Sequence, residues 1–132
     1  MLDNKIVLIG YSGHGLVVAE SAKNSNMNLQ FYTEKTKMTS NPFDLNYLGF
    51  ENDAAFLEWD KSYAFILGIG NNTIREKVAQ LILSKHKRLL NVIDISANIS
   101  KECIIGQGNF IAKNVVINIL AKIGDYCILN TG

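Results

Sequence analysis

The sequence predicts an α/β protein in two parts: a small parallel-sheet unit over residues 1–90, then the first coils of a left-handed parallel β-helix over residues 91–132. Three observations carry this. A buried-type strand runs through a glycine loop into a helix at the N-terminus. The same strand–loop–helix order recurs near residues 63–84. From Ile93 onward a branched aliphatic residue returns every sixth position: Ile93, Ile99, Ile105, Ile111, Ile117, Ile123 and Leu129. Helices repeat apolar residues at three and four, strands at two. A period of six held this long is the mark of short stacked rungs.

Lys5 to Ile9 (KIVLI) is uniformly apolar after its first residue, as in a parallel strand covered on both faces. The loop Gly10-Tyr11-Ser12-Gly13-His14-Gly15 follows, and Leu16 to Ala22 is helix-compatible with Glu20 on its polar side. Strand, glycine loop and helix open a nucleotide-binding α/β unit of Rossmann type. The glycines allow close backbone approach to a phosphate, and the helix N-terminus supplies oriented N–H groups. The spacing here, G-x-x-G-x-G, differs from the dinucleotide fingerprint G-x-G-x-x-G, so a tight strand-to-helix turn explains it equally well.

Leu29 to Tyr32 forms a second strand, followed by Thr33-Glu34-Lys35 where such folds contact the nucleoside. Residues 36–48 contain Ser40, Asn41, the only proline (Pro42) and several other polar residues, and read as a loop. Asp53 to Trp59 (DAAFLEW) is predicted to be a short helix capped by Asn52 or Asp53. Tyr63 to Ile69 is a third buried strand. It enters Gly70-Asn71-Asn72-Thr73, a loop with a helix N-cap, and then a helix from Ile74 to Ser84 with Ile74, Val78, Leu81 and Ile82 on one face. Arg75 falls in that helix's first turn, where a cation is unfavourable without a nearby anion. It fits either a phosphate or a surface carboxylate. Lys85 to Arg88 is a basic run placed to offset the dipole at the helix's C-terminus.

In the hexad region, three repeats make one triangular coil. Residues eighteen apart then stack: Ile105 on Ile123; Ile93, Ile111 and Leu129 in one column; Ile99 on Ile117. One residue after each anchor the chain has Asp94, Ser100, Gly106, Ala112, Asn118, Gly124 and Asn130. Four residues after come Ala97, Cys103, Asn109, Val115, Ala121 and Cys127, all of corner size. Cys103 and Cys127 are therefore expected as core residues without a disulfide or a metal.

The 48% hydrophobic and 19% charged content is that of a globular protein, and a net charge of +1 gives no electrostatic reason to expect nucleic acid or an anionic membrane. No apolar run approaches the roughly 20 residues of a membrane span. The opening MLDNKIVLIG has an early acid and too short an apolar run for a signal peptide, so a cytoplasmic location is expected.

KIVLIGYSGHG, a strand ending in a polar pair, FILGIGNNTIREK and hexads ending ILNTG together resemble the bacterial sugar O-/N-acyltransferases. That family includes sialic acid O-acetyltransferases and UDP-4-amino-sugar N-acetyltransferases. The resemblance implies a homotrimer that binds a nucleotide sugar, a UDP-amino sugar first, in the N-terminal domain, and acetyl-CoA as co-substrate on the β-helix between subunits. It implies substrate-site roles for Ser12, Gly13, His14, Gly15, Thr33, Glu34, Gly70, Asn71, Asn72 and Arg75, with Asn130 at the edge of the acceptor site. The family's strand-two pair is often two aspartates, and an His-Pro pair often stands where Asp94-Ile95 is here. Its general-base histidine follows the I-L-N-T-[SG] segment, beyond Gly132. The expectation is thus a shortened acetyltransferase chain without catalytic base or CoA loops, in which no cofactor binds well. Two rival readings stand beside it. One is a non-catalytic nucleotide-binding or assembly module; the other is an NAD-dependent oxidoreductase domain, which the glycine spacing and the hexads disfavour.

Overall fold

The computed structural model describes residues 4–131; Asp3 and Gly132, on which the readings of the two termini rest, lie outside them. Strands β1 (Ile6–Ile9), β2 (Leu29–Thr33), β3 (Asn46–Tyr47), β4 (Ala64–Leu67) and β5 (Arg88–Leu89) form one sheet in the order β3-β2-β1-β4-β5. Every neighbouring pair is parallel. Helices α1 (His14–Asn24) and α2 (Asn72–Ser84) connect β1 to β2 and β4 to β5. All four residues of β1 and of β4 are buried because each face is covered. Ile6, Leu8, Ala64 and Ile66 pack on the face with Val18, Ala19 and Ala22 of α1. Val7, Ile9, Phe65 and Leu67 pack with Val78, Ala79 and Ile82 of α2. Strand period two against two helices gives the doubly wound arrangement.

Several boundaries differ from the sequence reading. Asp53 to Trp59 is not a helix: only Glu58–Asp60 forms a single 3₁₀ turn. The Asp53 side chain instead accepts the Ala55 N–H at 3.0 Å, the local competition that short acidic residues offer to helix formation. Phe56 and Trp59 are drawn edge-to-face (5.0 Å), and Trp59 stacks on Phe65 at 5.4 Å. The loop at 36–48 contains β3, an edge strand of two residues. The basic run lies past α2: Lys85 is its C-cap, His86 turns into the left-handed region (φ 59°), and Arg88 begins β5. Both helices start earlier than the apolar pattern showed, so His14 belongs to the first turn of α1.

From Val92 the chain forms seven two-residue strands, β6 (Val92–Ile93), β7 (Asn98–Ile99), β8 (Ile104–Ile105), β9 (Phe110–Ile111), β10 (Val116–Ile117), β11 (Lys122–Ile123) and β12 (Ile128–Leu129). Each ends on a six-residue anchor. They pair in parallel eighteen residues apart in three ladders: Ile99 with Ile117, Ile105 with Ile123, and Ile93 with Ile111 with Leu129. The stacking expected from the hexads is therefore the stacking observed. Asparagines extend the ladder at one corner, where Asn91 Oδ1 accepts the Asn109 N–H and Asn109 Oδ1 accepts the Cys127 N–H. The later corners pass through left-handed backbone at Gly108, Asn114, Leu120 and Tyr126, a regularity that Gly108 and Asn114 alone hint at in the sequence.

The coil docks on the sheet unit by one face. The outward-facing residues of the β6–β9–β12 ladder include Val92 and Phe110, each 1% exposed, in the same core as α1. Ile104 and Val116 occupy the same hexad position on the other two faces and are 64% exposed. Polar links reinforce the seam. The Ser21 hydroxyl donates to buried Asp94 (2.5 Å), Ser25 donates to the Ile93 carbonyl (2.8 Å), and Lys113 pairs with Glu20. Asp94 thus anchors α1 to the first coil.

Candidate nucleotide-sugar cleft

The strand order reverses between β1 and β4, and at their C-terminal ends lies a cleft of about 770 Å³. This is the crevice where open parallel sheets bind ligands. Two backbone segments shape it. Gly10 leaves β1 at φ 92°, a conformation that a side chain strains. Its carbonyl then lies so close to Gly15 and Gly68 that a Cβ at either would collide with it. This close approach lets α1 start immediately beside the ends of β1 and β4.

Ser12, Gly13, His14, Thr33, Glu34, Gly70 and Asn71 all line the cleft. No side chain caps the N-terminus of α1 and no acidic residue occupies its first turn, so no group of the helix itself offsets its positive end beside the cleft. Gly15 sits behind the lining and sets backbone spacing. Asn71 has a local duty as well: its Oδ1 accepts the Ile74 N–H at 2.9 Å and caps α2, while Asn72 begins the helix and lies outside the lining. Asn130 follows the last rung and is not among the lining residues.

Arg75 differs from the expectation. It is 1% exposed and reaches away from the cleft into the seam with the coil. Its guanidinium donates to the carbonyls of Leu67 (3.2 Å), Ile69 (3.0 Å), Gly108 (2.8 Å) and Tyr126 (3.0 Å). The negative partner that its place in the first turn demands is a set of carbonyl dipoles, and not a phosphate or a carboxylate.

His14 lies against Phe110, ring edge to face at 5.4 Å, with Gly70 close to its Cβ. Burial, first, and the Arg75 charge both lower its pKa and favour the neutral imidazole. Its Nε2 is buried without a hydrogen-bond partner among the described residues.

Sequence reasoning missed two parts of this site. Glu51, 6% exposed, accepts a hydrogen bond from the Thr33 hydroxyl at 2.6 Å, beside Glu34. Burial lifts its pKa above 4.5; the Thr33 hydroxyl opposes the shift and the Glu34 charge adds to it. Glu34 is itself held by the Tyr11 N–H at 2.6 Å. The buried Tyr11 hydroxyl donates to Asn41 and accepts from the Phe43 N–H, pinning the glycine loop to the 36–48 segment. The cleft's far wall is Ile74, Lys77, Val78 and Leu81 of α2, with Lys35 at its mouth. The apolar pattern put Ile74 and Leu81 on the core face of α2, but that helix divides its apolar residues: Val78 and Ile82 enter the core, and Ile74 faces the cleft at 52% exposure. A loop glutamate such as Glu51 leaves no periodic signal.

The chain thus joins a doubly wound parallel unit, with a cleft at its switch point, to a stack of hexad rungs. Residues 5–82 match the model of the PglD N-terminal domain family, and the chain belongs to that family. Solved structures similar to the whole chain include a mutant of perosamine N-acetyltransferase from Caulobacter crescentus in complex with CoA and GDP-perosamine. It is 26% identical with a TM-score of 0.85, over 98% of this chain and 61% of that one. The acetyltransferase domain of PglB from Neisseria gonorrhoeae FA1090 in complex with acetyl coenzyme A is 25% identical with a TM-score of 0.85, over 97% of this chain and 62% of that one. The chain thus spans about 61% of the first relative's length.

Proposed function

We propose that this chain is the acceptor-binding part of an acetyl-CoA-dependent sugar acetyltransferase, with the cleft holding the nucleotide of a nucleotide-linked amino sugar. The observation that carries this reading is the cleft itself: glycine loop, uncapped helix N-terminus and two carboxylates, Glu34 and Glu51, converge at the switch point of a parallel sheet. The helix end suits the diphosphate and the carboxylates suit N–H and O–H donors of the nucleoside. A UDP-4-amino sugar is the first candidate ligand, from the sequence resemblance. A GDP-linked sugar is the second, because GDP-perosamine is the ligand of the Caulobacter relative. In the complete reaction the sugar nitrogen attacks the thioester carbonyl, a base takes the amine proton, and the C–S bond breaks to release the CoA thiol. The Neisseria relative's complex with acetyl coenzyme A supports that donor. Ile104, Val116, Ile119 and Leu120 are apolar and more than 60% exposed on the coil, which supports assembly with further copies, a homotrimer in the family reading.

Calorimetric titration with UDP, GDP, CMP and acetyl-CoA tests the proposal. Binding of UDP or GDP, abolished by G15A (which drives a methyl group into the Gly10 carbonyl), is the expected result. Absence of binding by every nucleotide would reduce Gly10 to Gly15 to a turn and remove the acceptor-site reading.

A further inference from the structure

Among the described residues, Arg75 is the largest fully buried side chain, and no carboxylate pairs with it. Burying an unpaired charge is costly unless hydrogen bonds replace its water. Four carbonyls do so here, from two places. Those of Leu67 and Ile69 flank Gly68 where β4 leaves the sheet, and Gly68 to Gly70 form one wall of the cleft. Those of Gly108 and Tyr126 belong to two corners stacked eighteen residues apart, on successive rungs of the coil. A guanidinium is a flat, rigid fork, so one side chain fixes four carbonyls in one geometry. His14 and Phe110 close the same seam: Gly70 lies on His14, and His14 meets Phe110 of β9 edge-on.

We propose that Arg75 is a positioning residue that fixes the Gly68–Gly70 wall of the cleft to the coil, and so sets where a bound nucleotide sugar lies relative to the rungs. This role rests on the nucleotide-sugar reading of the cleft. The α1 hydrogen bonds do not supply it: the Ser21–Asp94 and Ser25–Ile93 bonds join α1 to the coil without touching the cleft, and the His14–Phe110 contact is an apolar ring contact that holds no backbone carbonyl of the wall. Lysine cannot replace the arginine, because an ammonium has three donors on a point charge and cannot span four carbonyls in a fork.

The test is calorimetric titration of wild type, R75K, R75A and S25A with whichever of UDP and GDP wild type binds, alongside thermal melts. Displacement of a wall residue by even an ångström is costly to a polar site. We therefore expect folded R75K to bind about tenfold more weakly. R75A should lose binding and recover part of it in millimolar guanidinium, while S25A binds as wild type does. A folded R75K with wild-type affinity overturns the role, as does equal weakening by S25A, which would trace the effect to general loss of stability. Should neither Arg75 variant fold, hydrogen exchange in wild type decides. Nucleotide must slow exchange at residues 107–109 and 125–127 as well as at 10–15, and protection confined to 10–15 overturns the role. A wild type that binds no nucleotide fails the cleft reading itself, and this role with it.

Discussion

Replacing Phe110 by alanine tests how the coil is held to the sheet unit. Phe110, Ile104 and Val116 share one hexad position, the outward residue of each strand, on three different faces. Only Phe110 is covered, at 1% exposure against 64% for the other two. An aromatic side chain buries about 150–250 Å². At roughly 25 cal/mol per Å² that is about 4–6 kcal/mol. An extended-chain reference overcounts by about 10–40%, which leaves about 3–5 kcal/mol, the usual range for a buried Phe→Ala. For 132 residues, with about 3–4 °C per kcal/mol, F110A should lower Tm by about 10–20 °C. I104A and V116A should change stability by no more than about 0.5 kcal/mol in the monomer. The assay is urea and thermal unfolding at a concentration where sedimentation shows single chains. A cost below about 1 kcal/mol for F110A, or an equal cost for I104A, would refute the claim that this one face carries the docking.

Three further outcomes are expected. D94N should cost about 1–3 kcal/mol at pH 7, since Asp94 accepts from Ser21 and from the Ser96 hydroxyl and N–H. Burial pushes the Asp94 pKa up, but those hydrogen bonds outweigh it and hold the folded value below 3.8. Its contribution is present above the unfolded pKa and lost as pH falls through the folded one, so urea melts should show wild type and D94N converging in strong acid. Glu51 has the opposite sign: its raised folded pKa gives stability that is present below 4.5 and lost as pH rises through the folded value. E51Q should therefore be the more stable protein at pH 7 and lose that advantage near pH 4; an advantage that persists unchanged in acid would show that burial of the charge is not its source. Leu120 is a branched residue at φ 67°, where the preceding corner has Asn114 at φ 63°. L120N should raise stability by about 0.5–1 kcal/mol in equilibrium unfolding, because asparagine tolerates the left-handed region; a loss would mean that Leu120 is needed where it stands.

The hexad ladder was legible residue by residue because a stacked coil repeats one local environment. Every sixth side chain points into the same interior, so Ile93 to Leu129 carry their register openly, and β1 and β4 announce themselves as doubly covered by unbroken apolar runs. The loop from Gly10 to Gly15 was legible for a similar reason: its tight exit and close approach can be met only by glycine at defined positions. What periodicity reports is whether a side chain faces inward from its own element. It does not report which outer face another element will cover. Phe110, Ile104 and Val116 are alike in pattern and differ only because α1 docks on one ladder. Glu51 joins Thr33 and Glu34 by a return of the chain through β3, and Tyr11 reaches thirty residues ahead to Asn41. The first turn of α2 required a negative partner for Arg75. Whether phosphate, carboxylate or carbonyl dipoles would meet it depended on the coil corners at Gly108 and Tyr126, which only the packing of the two parts brings to it. By itself the sequence determined the two repeating architectures; the tertiary structure decided how they are joined and which polar groups meet at the cleft, because those contacts link residues with no shared period.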